Sequence, residues 1–325
     1  VSRGRPSAAT VQDLLLLQQT LLGDQRRHRA FRRALARVVR PGSTVLDLGS
    51  GSGVWAIEAA RLGAGRVVAV ERERALVPLI ERLARENGVA DRLRVIAGEA
   101  TQVALPRRFD VVVAELIGHQ GFDEKLLPVM DHARRRYLRP GGRLVPQALA
   151  LVGAPATLRT GLLPRGGGLR LGSFAELAVH CARVVLPEQV RTLARATCLA
   201  RVDLRRGGRE TPPLRGRWRV AELGRVRGVA VWVEMTLAPG VVLSTRAGTH
   251  WAPTFFPVEP LGRGRGEVIC TIRLAPAVSW EVAAATPGSR RVWRYSPRFA
   301  YGSLAPAAAR VRPAGRRRRA SRSGG

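Results

Sequence analysis

The sequence predicts an α/β protein in two parts: a parallel sheet covered by helices, then an antiparallel β domain. Three observations carry this. A strand-like run, residues 45–48, passes straight into Gly49-Ser50-Gly51-Ser52-Gly53 and then into a helical pattern. Between residues 44 and 146 short apolar runs alternate with helical periodicity, the pattern of strands buried on both faces. After Pro146 the helical period gives way to alternation, as in 229–237 and 267–274, with frequent glycine and proline.

Residues 10–39 read as helical, with Leu14, Leu17 and Leu21 on one stripe. Asp24, Arg27 and Phe31 share a face. Pro41-Gly42 closes this segment, and the first strand follows, carrying Asp47. Glycine is needed where backbone must approach a ligand or adopt positive φ. A strand, a glycine turn and a helix over 54–62 form the first unit of a nucleotide-binding α/β domain. The next strand, 66–70, ends on Glu71, about 20 residues on, where an acid grips ribose hydroxyls. A helix covers 75–86, with Pro78 in its first turn, and Asn87-Gly88 stops it. Residues 94–96 and 110–114 read as strands, and 124–137 as a helix. Residues 139–142 turn the chain into a last strand at 143–145.

The expected organisation is an N-terminal helical segment (1–40), a cofactor domain (41–146) and an antiparallel barrel or sandwich (147–305). In the third part the glycine-rich stretch 157–174 reads as an exposed arm. The tail, 306–325, carries Arg316, Arg317, Arg318, Arg319 and Arg322 among Ala, Ser and Gly, and is expected to be disordered.

Composition sets bounds. The chain is long enough for a full core. No apolar run reaches about 18 residues, so no membrane span is expected. The N-terminus lacks a signal peptide's short apolar region, which points to a cytoplasmic setting. Cys181, Cys198 and Cys270 are scattered, as reduced structural thiols are, and imply no metal site. The net charge of +31 is a nucleic-acid footprint. Lys125 is the only lysine, however, and the arginine bias reads as GC-rich coding. Non-specific nucleic-acid contact is therefore expected only through the basic tail.

Two acids flank the end of the fourth strand: Glu115 follows it at once, and Glu124 comes nine residues later. Ligands in open α/β sheets bind beyond the strand carboxyl ends. The plainer alternatives are a solvated loop carboxylate at Glu115 and a first-turn acid complementing the helix dipole at Glu124. His250 lies in a loop, Thr249-His250-Trp251, between strand-like runs; a lone histidine is most often structural.

The glycine spacing is G-x-G-x-G, not the dinucleotide G-x-G-x-x-G. It resembles motif I of class I S-adenosylmethionine (SAM) methyltransferases. With the other pieces, the chain resembles the protein arginine methyltransferase family over roughly residues 12–285. Residues 45–53, VLDLGSGSG, match motif I, and Glu71 matches its ribose acid. Ala114-Glu115-Leu116-Ile117-Gly118, continuing to Glu124, matches the double-glutamate loop. Thr249-His250-Trp251, preceded by Leu243-Ser244-Thr245, matches the Thr-His-Trp loop.

The resemblance implies a Rossmann-like class I methyltransferase domain followed by an antiparallel β-barrel, with a homodimer formed through the arm. It implies SAM as cofactor and a protein or peptide arginine as acceptor. Arg27 would clamp the SAM carboxylate. Asp47, Gly49, Gly51 and Gly53 belong to motif I, with Gly49 and Gly51 letting the backbone approach the methionyl part. Glu71 would bind the ribose, and the Glu99-Ala100-Thr101 turn would frame adenine. Glu115 and Glu124 would grip the guanidinium, and His250 would pair with Asp24. The chain departs from the family at several positions. No aromatic residue stands between Ala8 and Gln12, Gln18 takes the place of a SAM-contacting histidine, and Thr101 that of the adenine-contacting acid. Leu21 and Leu126 replace methionines of the arginine pocket, and Leu116 replaces a tryptophan. These changes bear on acceptor gripping more than on cofactor binding. Two rival readings stand beside this one: a SAM methyltransferase acting on RNA or a small molecule, and an arginine-rich nucleic-acid-binding protein with a vestigial site.

Overall fold

The structure is a computed structural model and describes residues 8–105, 108–161, 168, 172–297, 299–300 and 303–306. Two helices lead the chain, α1 (Ala8–Gly23) and α2 (Gln25–Val38). The single helical segment expected over 10–39 is thus divided at Asp24. The Asp24 carboxylate accepts the Arg27 N–H at 2.8 Å, which satisfies a donor that the first turn of α2 leaves orphaned.

A five-stranded parallel sheet follows, in the order β3-β2-β1-β4-β5. Its strands are β1 (Thr44–Leu48), β2 (Arg66–Glu71), β3 (Leu93–Ala97), β4 (Phe109–Ala114) and β5 (Leu138–Val145). Helices α3 (Val54–Arg61), α4 (Val77–Glu86) and α5 (Leu126–Arg136) alternate with them. Val45, Leu46, Leu48 and Val111 through Ala114 are buried, as a sheet covered on both faces requires. Two boundaries differ from expectation. Helix α5 begins at Leu126, because Lys125 before it has φ +61°, in the left-handed region; Glu124 is therefore a loop residue. Strand β5 starts at Leu138, and its register on β4 jumps from Phe109↔Leu138 to Val111↔Arg143. The expected turn at 139–142 is looped out of a strand rather than placed before one.

The rest is antiparallel. A seven-stranded sheet contains β6 (Ala148–Leu158), β7 (Arg183–Val184), β8 (Val190–Thr192), β9 (Thr197–Asp203), β11 (Gly228–Ala238), β12 (Val241–Ser244) and β13 (Thr254–Pro257). A four-stranded sheet is ordered β10-β14-β15-β16, from β10 (Leu214–Val220), β14 (Gly266–Arg273), β15 (Ser279–Thr286) and β16 (Ser289–Tyr295). Strand β14 alternates in burial as its sequence predicts, whereas β11 is buried along nearly its whole length. Helix α2 lies against β11 and β12 and removes the face that alternation would have left wet. Half of the expected arm, 162–167 and 169–171, lies outside the described residues, between β6 and α6 (Gly172–Ala178). The tail beyond residue 306 lies outside them too. No helix among the described residues is long and apolar enough to cross a membrane.

Candidate active site

The end of β1 sets the site. Gly49 N–H and Ser50 N–H both donate to Val70 O, at 2.9 and 3.1 Å, which folds the glycine turn back onto β2. Gly51, at φ +56°, sits under α1: a Cβ there would lie 2.8 Å from Gln18 Oε1. Glu71, at the end of β2, accepts Gly51 N–H at 2.7 Å with one oxygen and Glu73 N–H at 2.9 Å with the other.

These residues open on a cavity of about 470 Å³. Gln18, Leu21 and Arg27 line it from the two leading helices; Gly49, Gly51, Glu71, Glu99, Ala100, Glu115, Leu116 and Glu124 line it from the ends of the parallel strands. The cavity thus gathers both glutamates, Glu71, Arg27 and two of the motif I glycines. Other candidates lie elsewhere. Asp47 is wholly buried beneath the turn; its Oδ2 accepts Ala56 N–H at 3.1 Å, and its Oδ1 meets no donor. Burial pushes this carboxyl up to about 7. Gly53 starts α3 at φ +76°, and a Cβ there would meet Ile80 Cγ2 at 2.5 Å. Its freedom serves helix packing, not the cavity wall. Thr101 and Leu126 are not on the wall either; Leu126 is core.

Arg27 and Glu115 meet. Arg27 Nε donates to Glu115 Oε2 at 3.0 Å, Nη2 donates to the same oxygen, and Nη1 donates to Leu21 O at 3.1 Å. The guanidinium lies 4.8 Å from the centre of the Trp55 ring. Both partners are buried, at 4% and 7% side-chain exposure. Burial pushes the Glu115 carboxyl up to about 7, although Arg27 pulls it down. Glu124 is exposed and has no hydrogen-bond partner among the described residues; partial desolvation and the neighbouring Asp123 charge hold its carboxyl above the ordinary value.

The Thr-His-Trp loop closes the site from behind. His250 contacts Asp24 Oδ2 twice, through its backbone N–H at 2.9 Å and ring Nδ1 at 2.8 Å. Trp251 Nε1 donates to Ile117 O at 2.6 Å. Burial would raise Asp24, but the bonds from Arg27 N–H and His250 outweigh it and hold the carboxyl below its usual range. Burial lowers the His250 ring, aided by the Arg27 charge. Asp24 and His250 line a separate, more open concavity, not the main one.

Sequence reasoning missed three residues. Trp55 carries the Arg27 guanidinium and stacks on Phe31 with ring centres 4.5 Å apart. His119, between the two glutamates, accepts Ala252 N–H at 3.1 Å on Nδ1 and so pins that loop to the Thr-His-Trp loop. Lys125, on the cavity wall, was visible as the only lysine.

A glycine turn over a parallel sheet, with an acid at the end of β2 and a cavity at the strand ends, defines a class I SAM-dependent methyltransferase. The profile of ribosomal protein L11 methyltransferase (PrmA) matches residues 32–143. An arginine N(omega)-methyltransferase of Streptomyces achromogenes subsp. streptozoticus is 30% identical over 266 residues, which cover 77% of this chain and 73% of that protein. Protein arginine N-methyltransferase PRMT10 of rice (Oryza sativa subsp. japonica) is 36% identical over 140 residues, 42% of this chain and 37% of that one. The chain therefore belongs to the arginine methyltransferase family. Its fold is that of the Trypanosoma brucei PRMT1 enzyme–prozyme complex with AdoHcy (TM-score 0.74, 19% identity, 86% of this chain and 97% of that chain). Arabidopsis thaliana protein arginine methyltransferase 10 is similar (TM-score 0.70, 20% identity, 86% and 96%). The cofactor is SAM, and the cavity fits it. The glycine turn bares backbone, Glu71 presents a carboxylate, and Arg27 has two of its five N–H donors unspent.

Proposed function

We propose that the protein transfers the methyl group of SAM to a guanidinium nitrogen of arginine, with arginine in a protein or peptide as an acceptor. One observation carries this reading. The cavity wall holds six of the chain's 24 acidic residues (Glu71, Glu73, Glu99, Glu115, Asp123 and Glu124) but only three of its 55 basic ones (Arg27, Arg72 and Lys125). A protein of net charge +31 has concentrated negative charge in this one place. Such a wall receives cations.

When bound, SAM supplies an electrophilic methyl group on a sulfonium. The protein's task is the other partner. A free guanidinium is cationic and a poor nucleophile. Glu115 and Glu124 can draw its positive charge to one side and leave electron density on the nitrogen facing the methyl. Much of the remaining gain is positioning. Two carboxyls raised by desolvation are also suited to accept the proton that the product must lose. Arg27 and Glu71 bind the cofactor in this reading, and Asp24 with His250 positions Arg27. A homodimer is part of the same reading. Its support is the exposed apolar face of α1, where Leu15 and Leu16 are about half exposed.

The test is single-turnover methyl transfer to an arginine–glycine peptide. Glu115→Gln and Glu124→Gln should each lose on the order of 10²–10³ in rate, as other charge-stabilising groups do. The double variant should be little worse, because the pair acts as one unit. S-adenosylhomocysteine affinity should hold in Glu124→Gln and shift in Glu115→Gln, which takes away the partner of Arg27. Full turnover in both single variants would overturn the assignment.

A further inference from the structure

The second inference rests on the guanidinium reading and concerns which arginine the cavity takes. Lys125 is the only lysine in a chain with 55 lysines and arginines. Whatever filled the other cationic positions with arginine left this one. It is also the only non-glycine residue of positive φ among the described residues, at +61°. Glycine adopts that conformation without strain, so the backbone does not call for lysine. The side chain does.

That side chain is exposed on the wall that Glu115 and Glu124 share. Of the wall's three cations, Arg27 is paired with Glu115, and Arg72 donates its Nε to Glu73 at 3.1 Å. The Lys125 side chain has neither an ion pair nor a hydrogen bond among the described residues; its backbone carbonyl accepts Val129 N–H at 3.2 Å. On the other side of Glu124 stands Asp123, also exposed, whose one backbone donor, Gln120 N–H, is 3.5 Å away. The acceptor carboxylate is therefore flanked in sequence by one anion and one cation.

The two kinds of arginine differ at the end remote from the guanidinium. In a peptide that end is neutral amide, and neighbouring arginines add cations that Lys125 and Arg72 repel. Free arginine carries an α-ammonium and an α-carboxylate there. We propose that Lys125 is a specificity-determining residue that receives the α-carboxylate of free arginine while Asp123 receives its α-ammonium, so that the cavity methylates the free amino acid. A compact ammonium suits a rim contact with one carboxylate better than a planar fork does. The reaction forms one N–C bond on the guanidinium and breaks the S–C bond of the sulfonium, whose sulfur keeps the electron pair. The displaced N–H proton passes to Glu124 and on to water.

The experiment compares three acceptors with SAM and the full chain: L-arginine, agmatine (the same side chain without the carboxylate) and an arginine–glycine peptide. L-Arginine should exceed agmatine in kcat/KM by about ten- to hundredfold, as for one charge-assisted contact. Lys125→Gly suits the left-handed backbone. It should raise KM for L-arginine by that factor, leave kcat in place, and leave agmatine unaffected, which also shows that the variant is folded. Lys125→Arg should restore part of the preference. Methylation of the peptide without methylation of L-arginine would overturn the proposal and leave the guanidinium reading standing. An undiminished preference for L-arginine in Lys125→Gly would overturn it as well. If none of the three guanidines accepts a methyl group, the guanidinium reading itself falls.

Discussion

Asp47 gives the most direct physical test of the cofactor turn. It is fully buried, one of its oxygens has no donor, and burial raises its carboxyl from 3.8 to about 7. An acid whose folded value lies above its unfolded one stabilises the fold most in acid, and that contribution is lost as pH rises toward the folded value. Between pH 5 and pH 8 the loss is about 2–3 kcal/mol for Asp47. Glu115, raised from 4.5 to about 7, adds a similar loss. Asp47→Asn keeps an acceptor for Ala56 N–H and removes the titration. The parent should therefore lose roughly 5 kcal/mol between these pH values through the two acids, and the variant about half of that. For a chain of this size about 1 kcal/mol moves the melting temperature by roughly 1–2 °C. The pH-dependent drop in melting temperature, measured calorimetrically without cofactor, should be smaller in the variant by roughly 3–5 °C. Every other titrating group is common to both proteins, so the difference of slopes reports Asp47 together with its charge coupling to Glu71 and Glu115. Equal slopes would refute the burial argument.

Two further outcomes follow from the geometry. Glu71→Ala removes the carboxylate proposed to hold the ribose and should weaken S-adenosylhomocysteine binding by about 1.5–3 kcal/mol in titration calorimetry; unchanged affinity would put the ribose elsewhere. His250→Ala removes the ring bond to Asp24 but leaves the backbone N–H on the same oxygen. It should slow methyl transfer by less than either glutamate substitution, and a loss equal to theirs in the single-turnover assay would give the ring a direct chemical part.

Much of the parallel-sheet half was legible because its signals are local. Residues 45–53 put strand, glycine turn and helix in one short stretch, and Glu71 follows at the next strand end. The two glutamates were legible for the same reason, as both belong to the loop after β4. The misread parts depend on partners far away in the chain. The break at Asp24 is stabilised by Arg27 nearby and by His250, which is 226 positions on. The burial of β11 on both faces depends on α2, which alternation within β11 cannot report. Lys125 was noticed as a composition fact. Its left-handed backbone, which ends the loop and starts α5 later than expected, is a property of the folded turn.

The Arg27–Glu115 pair, 88 positions apart, shows why the site must be treated as one electrostatic unit. Removing one partner of a buried pair strands the other charge, which typically costs about 3–5 kcal/mol. Here the stranded charge would sit in the cavity. Arg27 is in turn fixed from behind: its backbone N–H is held by Asp24 Oδ1, and Asp24 Oδ2 holds His250. His250, Asp24, Arg27 and Glu115 thus form a row from the antiparallel half to the cavity wall. Trp251, hydrogen-bonded to Ile117 O, fixes the same two segments a second time. Arg27 uses three donors on Glu115 and Leu21 and keeps two. Glu115 spends only one of its oxygens on Arg27. One arginine can therefore hold a cofactor carboxylate without releasing Glu115, and Glu115 can hold an acceptor guanidinium without releasing Arg27. The pair need not open for both ligands to bind.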